Sequence, residues 1–202
     1  MKRVFFFGCM IMLVLCSCGN GGLPILGEAT MVDGKPVYPR IADFDFINQD
    51  GHHISNASFK DQVYVADFIF LSCPTICPVM TRALKKVYDG YQADDRVSFI
   101  SHTIDPERDT VPRLKAYAEA LGVSAPKWNF VTGNQDSIMN LAEKSYYLAA
   151  NADSTAPGGL VHGGGFLLID KNRNIRGVYN SLEPKETDRL TADIKRLLRE
   201  QF

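Results

Sequence analysis

The sequence has few cysteines, almost no net charge, no internal repeats and no apolar run long enough to span a bilayer. The net charge of −1 leaves no basic surface of the kind that nucleic acids require, which excludes nucleic acid as the expected partner. The absence of a repeat excludes a solenoid. The composition, with 46% hydrophobic and 22% charged residues, is that of a globular protein. A length of 202 residues is enough for one domain with a full hydrophobic core.

The first residues differ from the rest of the chain. Lys2 and Arg3 precede an almost entirely apolar stretch over residues 4–15. About a dozen apolar residues are short for a membrane-spanning helix, which needs roughly 20. A short positive start followed by such a stretch is typical of a secretory signal, which we place at residues 1–17.

The signal ends in a motif similar to the bacterial lipobox. The run Leu-Cys-Ser-Cys-Gly at residues 15–19 places an aliphatic residue at −3 and a small residue at −1 relative to Cys18. We predict lipid attachment at Cys18, a lipid-anchored linker over residues 18–40 and a domain over residues 41–202. Two or three acyl chains hold a protein stably at a membrane. The expected location is therefore extracytoplasmic, on a bacterial membrane facing the periplasm; a cleaved, soluble form is the alternative.

Two of the five cysteines then lie in the domain, Cys73 and Cys77. Two cysteines outside the cytoplasm would ordinarily predict one structural disulfide. A disulfide between these two would close so short a loop that it would remove little entropy from the unfolded chain. The pair is therefore better explained by chemistry than by stabilisation.

The pattern of apolar residues predicts an α/β fold with a central mixed β-sheet flanked by helices and an N-terminal β-hairpin. In chain order we predict a hairpin at 44–54, a buried strand at 63–70, a helix at 79–91, a strand at 97–103, a helix at 110–121, a strand at 128–132, a helix at 135–145, a hairpin of strands 165–170 and 175–180, and a last helix at 185–199 opened by Pro184. Sites in such folds gather at the carboxyl ends of strands, where the cysteine pair lies.

The spacing of the cysteine pair favours a metal. Cys73 and Cys77 are four residues apart, which places both sulfurs on one side of an incipient helical turn. A helix N-terminus stabilises thiolates, and thiolates prefer Cu(I). A structural zinc site would need a fourth ligand that the sequence does not clearly supply.

Four histidines are candidates for a third ligand. His52 and His53 lie beside a predicted turn and are expected at the surface. His102 ends a predicted strand near the cysteines and is a candidate for contact with the ligands rather than with the metal. His162 lies in a glycine-rich segment before the late hairpin, where backbones can approach closely.

Two carboxylates also qualify. Asp67 lies inside a predicted buried strand, six residues before Cys73, so it is either a satisfied core group or a proton acceptor for thiol–disulfide exchange. Asp105, in the loop after the second strand, is a tentative neighbour of the ligands. With Arg108 and Asp109 it is more simply explained as bracing the loop and capping the next helix.

Three motifs together resemble the Sco/SenC family of thioredoxin-like copper proteins. They are Phe-Ile-Phe-Leu-Ser-Cys-Pro-Thr-Ile-Cys-Pro-Val-Met-Thr at residues 68–81, Thr-Ile-Asp-Pro-Glu-Arg-Asp-Thr at residues 103–110, and Trp-Asn-Phe-Val-Thr-Gly at residues 128–133. The resemblance extends over about residues 44–198. It implies a thioredoxin-like fold and copper, as Cu(I) or Cu(II), held by Cys73, Cys77 and His162. One departure is Val-His-Gly at residues 161–163, where the family usually has Asp-His-Ser, which bears on how the ring is oriented.

The resemblance also implies a role. Members assist assembly of the copper centre of respiratory cytochrome oxidase, so the expected partner is a copper-accepting oxidase subunit or another copper carrier. This is a binding function rather than an enzymatic one. The alternative is a thiol–disulfide reductase that keeps the copper-ligand cysteines of a partner reduced. A peroxidase is a weaker alternative, because no arginine-supported peroxide pocket is evident.

Overall fold

A computed structural model describes residues 21–147, 150–152, 160–162 and 164–202, with the backbone alone for 150–152 and 160–162. The predicted signal at residues 1–17 and the predicted lipid site Cys18 lie outside the described residues. Among those described, no helix is both long enough and apolar enough to cross a bilayer.

A seven-stranded mixed sheet forms the centre of the domain. Its strands are β3 (Asp45–Asn48), β4 (His53–Ser55), β5 (Val63–Ile69), β6 (Val97–Thr103), β7 (Trp128–Thr132), β10 (Gly165–Ile169) and β11 (Ile175–Asn180). They lie in the order β11-β10-β5-β6-β7-β3-β4. The central strands β5, β6 and β7 are parallel, β10 and β3 on either side are antiparallel to them, and the edge strands β11 and β4 are antiparallel to β10 and β3. Both β5 and β6 are buried along their whole length; β5 is a nearly continuous apolar run, whereas β6 also buries polar side chains, among them Ser101 and His102.

In the part of the chain that the structure describes, four α-helices cover the two faces of this sheet: α1 (Cys77–Tyr91), α2 (Val111–Leu121), α3 (Gln135–Lys144) and α4 (Pro184–Gln201). The Tyr117 hydroxyl of α2 donates to Thr81 Oγ1 of α1 at 2.9 Å, and α1 also packs against α4. These three helices therefore share one face. The segment after α3 covers the other face, where Tyr146 meets the ring of Phe68.

The predicted α/β fold with its N-terminal hairpin is confirmed, and most boundaries agree within two residues. The largest difference lies in the predicted linker, which contains a hairpin of β1 (Thr30–Val32) and β2 (Lys35–Val37). A second short pair, β8 (Ala150–Ala152) and β9 (Leu160–His162), precedes β10. Both hairpins fall in stretches without a clear apolar period, so the sequence pattern did not indicate them.

Candidate metal centre

The cysteine motif forms the connection between β5 and α1. Cys73 follows the carboxyl end of β5, and Cys77 is the first residue of α1. The backbone N–H of Leu71 donates to Asp109 Oδ2 at 3.0 Å, and the Thr103 hydroxyl donates to the same oxygen at 2.6 Å. Asp109, which is fully buried, thus fastens the cysteine loop to the loop after β6. This contact agrees with the loop-bracing role expected of Asp109.

The two sulfurs lie together at the start of α1, as their spacing predicts. The backbone N–H of Cys77 donates to Cys73 Sγ at 3.5 Å, and the Thr75 hydroxyl lies 3.8 Å from the same sulfur. Both side chains are nearly buried, with 6% of Cys73 and 4% of Cys77 exposed. A negative charge on Cys73 would therefore be held by N–H and O–H dipoles at a helix N-terminus.

The two thiols differ in acidity. Burial raises the pKa of Cys73, but hydrogen bonds from Cys77 and Thr75 outweigh it, and the net pKa is lowered. Burial raises the pKa of Cys77, and the neighbouring Cys73 and Asp67 raise it further. Near neutral pH Cys73 is thus the more reactive thiol, because the thiolate is the form that attacks disulfides and binds metal.

Asp67 lies below this pair on the same face of the sheet. Its Oδ1 accepts a hydrogen bond from the Ser101 hydroxyl at 2.5 Å, and Ser101 Oγ accepts one from Trp128 Nε1 at 2.9 Å. Among the described residues, Asp67 Oδ2 has no hydrogen-bond partner. Burial raises the pKa of Asp67 to about 7, against the opposing effect of the Ser101 bond. The carboxyl group can therefore gain or lose a proton near neutral pH.

His102 is placed away from the cysteines. It follows Ser101 on β6, so its ring projects from the opposite face of the sheet from Asp67. There it stacks on Phe68 at 4.8 Å between ring centroids and meets Phe44 edge-on at 5.7 Å. The tentative role of His102 as a neighbour of the ligands is not supported by this packing: strand alternation, which the prediction did not apply, separates it from them.

Asp105 is bonded within its own loop. Its Oδ2 accepts from Arg108 NH1 at 3.1 Å, and its backbone N–H donates to Thr103 Oγ1 at 3.1 Å. These bonds fit the bracing explanation of Asp105, and none of them joins it to a cysteine. His53, in turn, lies at the surface beside Asp45, as expected for a residue next to the Asp-Gly turn.

The predicted third ligand is only partly described. His162 ends β9, where its backbone pairs with Ala150, and its side chain lies outside the described residues. Among side chains that are described, no group of three or more His, Cys, Asp and Glu is close enough to hold a metal ion. The described part of the candidate centre is therefore the cysteine pair.

Two features near the pair were not predicted. A cavity of about 200 Å³ opens beside the sulfurs, lined in part by Tyr117 of α2 and Arg82 of α1. The bond from Ser101 to Asp67 joins neighbouring strands, so no local motif could have indicated it. The available signal was a polar residue at facing positions of two adjacent buried strands, Asp67 in β5 and Ser101 in β6.

Comparison with known proteins identifies the family. The SCO1/SenC family model matches residues 33–199. This chain belongs to the SCO1/SenC family. The match includes the β1–β2 hairpin from Asp33 onward, the cysteine motif and nearly all of α4.

Relatives of this SCO1/SenC chain are similar over most of their length. The SCO1 protein homolog of Bacillus subtilis (strain 168) is 32% identical over 191 residues, which is 92% of each chain. The structure of BsSco, a member of the Sco family of cytochrome c oxidase assembly proteins with a disulfide switch, matches with a TM-score of 0.69 and 31% identity, covering 85% of this chain and 98% of BsSco. Bradyrhizobium japonicum ScoI with copper bound matches with a TM-score of 0.64 and 26% identity, covering 77% of this chain and 98% of ScoI.

Proposed function

We propose that this chain binds copper through Cys73, Cys77 and His162 and delivers it to a subunit of a respiratory cytochrome oxidase or to another copper carrier. The observation that carries the proposal is the pair of sulfurs held together at the start of α1, one of them with a lowered pKa. Soft thiolates favour Cu(I), and an imidazole accommodates either Cu(I) or Cu(II). The copper-bound ScoI relative supports the choice of metal.

The position of Gly164 supports His162 as the third ligand. The Gly164 carbonyl accepts hydrogen bonds from the backbone N–H of Ser181 at 2.9 Å and from its hydroxyl at 2.6 Å. A β-carbon placed on Gly164 would lie 3.8 Å from Ile76 Cδ1, in the residue before Cys77. Since His162 is two residues away, its backbone is within about 7 Å of a point that touches the cysteine loop.

The position of the two cysteines is suited to a copper ion that is bound reversibly and passed to another protein. Cys73 and Cys77 lie on a loop and a helix end near a small cavity, so an incoming thiolate or imidazole could approach the copper from that side. Exchange of one ligand at a time would move copper to a recipient without a free ion. Deprotonation of Cys77, whose pKa is raised, would accompany copper binding, so uptake should release protons.

The proposal includes the location. We infer that residues 1–17 are a signal, that Cys18 carries the lipid, and that the domain over residues 41–202 faces the periplasm with residues 18–40 leading to it. The charge and apolar pattern of the N-terminus supports this. An oxidase subunit that receives copper at the same membrane would then be within reach.

Copper titration with a His162→Ala variant tests the ligand set. We expect the reduced protein to bind one Cu(I) per chain, and the variant to bind at least about 100-fold more weakly, since loss of a ligand's outer partner alone costs 10–100-fold. Competition with a chromogenic Cu(I) chelator measures the affinity. A His52→Ala variant is the matched control and should bind as the parent does. Equal affinity in the parent and the His162→Ala variant would contradict the three-ligand site.

A thiol–disulfide reductase is the second candidate, favoured by the titratable Asp67. The Cys73 thiolate would attack a partner disulfide, forming a mixed disulfide and releasing one partner thiolate. The Cys77 thiol would lose its proton to Asp67 and attack Cys73 Sγ, leaving a Cys73–Cys77 disulfide and a dithiol partner. The disulfide switch of BsSco supports such chemistry in a relative. Weak copper binding together with rapid reduction of a disulfide peptide would favour this candidate over the first.

A further inference from the structure

The N-terminal segment is fastened to the domain at one corner. The backbone N–H of Leu23 donates to Glu200 Oε2 at 2.9 Å, and Arg176 donates from Nε to the Pro24 carbonyl at 3.2 Å and from NH2 to the Leu23 carbonyl. Arg176 is 4% exposed and Leu23 is 8% exposed. The chain therefore enters the domain at a fixed point built from β11 and the end of α4.

This corner lies at the amino end of the central strands, away from the cysteines. The backbone N–H of Leu26 donates to the Ile175 carbonyl at 2.8 Å, at the start of β11, which runs antiparallel to β10. The β10–β11 turn lies beside the start of β5, since Ile169 pairs with Tyr64. The cysteine loop follows the other end of β5, about 20 Å away for a seven-residue strand. The point of entry and the candidate metal centre are thus at opposite ends of the sheet.

An apolar hairpin leaves from the same corner. The β1–β2 hairpin is enclosed between Leu26, bonded to Ile175, and the backbone around Pro39, whose carbonyl accepts from Asn174 Nδ2 at 3.0 Å. Its apolar side chains face outward: Met31 is 67%, Val32 52% and Val37 48% exposed. Large apolar side chains grouped on an exposed hairpin are a feature of surfaces that meet a partner or a membrane.

A cationic cavity lies next to this hairpin. It has a volume of about 320 Å³ and includes Arg40, Lys60, Lys171 and Arg173 in its lining, with Tyr64 in its wall. Arg173 forms an ion pair with Asp43, whose side chain is 90% exposed, so that pair is well solvated and weakly neutralising. Four cations around one cavity are suited to a phosphate group.

The acid in the cavity wall does not cancel these charges. Asp170 is buried, and its Oδ1 accepts from the backbone N–H groups of Asn172 and Asn174, both at 2.9 Å. Its Oδ2 accepts from Arg176 NH1 at 2.9 Å and from Gln201 Nε2 at 3.2 Å. Its charge is thus balanced within the protein. Lys171 Nζ donates to the Gln201 carbonyl at 2.7 Å, and among the described residues Arg40 and Lys60 form no ion pair, so the lining keeps an excess of positive charge.

We propose that this corner is a membrane-docking surface: the β1–β2 hairpin contacts an anionic phospholipid bilayer, and a headgroup phosphate occupies the cationic cavity. The length of chain outside the described residues supports the choice of a bilayer, because Cys18 is three residues before Gly21 and so within about 10 Å of it. The cysteine loop then faces away from the bilayer, toward a partner in solution or a protruding domain. The direction of the surface uses the lipid site proposed above, but the surface does not depend on copper binding.

Hydrogen–deuterium exchange on vesicles tests the surface. The full chain would be reconstituted with phosphatidylcholine vesicles and with vesicles containing 40% phosphatidylglycerol. On the anionic vesicles we expect slower exchange at residues 28–41 and 170–174, with no change at 71–77. Replacing two cavity cations by Arg40→Gln and Lys60→Gln should reduce this protection about 25-fold, at about fivefold per cation, and high salt should also reduce it.

A double variant Lys144→Gln and Lys185→Gln, which removes the same charge outside the cavity, is the matched control and should keep the protection. Equal exchange on neutral and anionic vesicles would overturn the proposal. So would protection on neutral vesicles when inorganic phosphate is added, because the cavity would then serve a soluble anion. Retention of the chain on neutral vesicles in 1 M salt measures the acyl anchor alone. The copper titration depends neither on the acyl anchor nor on the docking surface.

Discussion

Two sets of buried polar residues, one toward each end of the central sheet, differ in the number of hydrogen-bond partners that their side chains have. At the amino end, Arg176 bonds to Asp170, Glu200 and two backbone carbonyls, and Asp170 accepts four hydrogen bonds. Nearer the cysteines, Asp67 has one partner for two oxygens, and His102 has none for either ring nitrogen among the described residues. Arg176, Asp170, Asp67 and His102 are each at most 4% exposed, so the difference lies in their partners.

The difference in partners distinguishes residues that stabilise the fold from a residue that can exchange a proton. A buried charge is tolerated when opposite charges and hydrogen bonds surround it, as they surround Arg176. A buried group that lacks them stays neutral, and its pKa moves accordingly. Burial raises the pKa of Asp67 to about 7 and lowers that of His102 to about 3. Asp67, on the same face of the sheet as the cysteines, is therefore the residue that can exchange a proton near neutral pH.

The largest change in unfolding free energy is expected from replacing Arg176, whose guanidinium nitrogens all donate hydrogen bonds. Arg176→Met would leave Asp170 buried without its cation, which costs about 3–5 kcal/mol of unfolding free energy. Arg173→Met removes an exposed partner of Asp43 and should cost less than about 1 kcal/mol. Urea unfolding measures both. Similar losses in the two variants would show that the buried group is not special, and copper stoichiometry should be unchanged in each.

A smaller change in unfolding free energy, in this case a gain in stability, is expected from Asp67→Asn. The folded-state pKa of Asp67 is raised, so the folded protein holds this proton more tightly and loses stability as pH rises from about 4 to about 7. The amide keeps the bond from Ser101 and has no charge to bury. At pH 8 the variant should be more stable than the parent by about 2–4 kcal/mol, with little difference at pH 4. Unfolding of the reduced, copper-free protein across this range measures it, and Asp45→Asn at the surface is the control.

The smallest effect is expected from His102→Phe. A phenyl ring would contact the rings of Phe44, Phe68 and Tyr146 and would remove two nitrogens that have no hydrogen-bond partner among the described residues, which should stabilise the fold by about 1 kcal/mol at pH 7. Because the folded-state pKa of His102 is lowered, the parent loses stability as pH falls from about 6.5 toward 3, and the variant should lose less. Acid unfolding monitored by circular dichroism checks this. A copper affinity that changes with the substitution would instead tie His102 to the metal centre.

The sequence predicted the elements whose residues follow a clear period. β7 and β11 were predicted at their observed bounds, and the helix after the cysteines was placed two residues late because Cys77 and Pro78 were assigned to the loop before it, whereas Cys77 lies on the buried face of α1. The cysteine pair was found because four-residue spacing is a local signal. Contacts between distant residues left no such signal, which is why the Arg176 group and the bond between Ser101 and Asp67 were missed.

His102 illustrates a different limit. The sequence placed it correctly at the end of β6, near the edge where the cysteines lie. Which face its ring occupies depends on the register of that strand against β5, and one residue of shift would have put it beside Asp67. The roles of His162 and Cys18 stay predictions.

The hydrogen bonds from Ser181 to the Gly164 carbonyl have a consequence for metal affinity. A donor group tied two residues from a fixed point beside Ile76 can search only a volume about 7 Å in radius, which corresponds to a local concentration on the order of 1 M. Free imidazole reaches such levels only at the limit of practical buffers. The tie would therefore make a third ligand available to any metal that the two sulfurs capture, and a substitution at Ser181 should act on affinity from outside the ligand set.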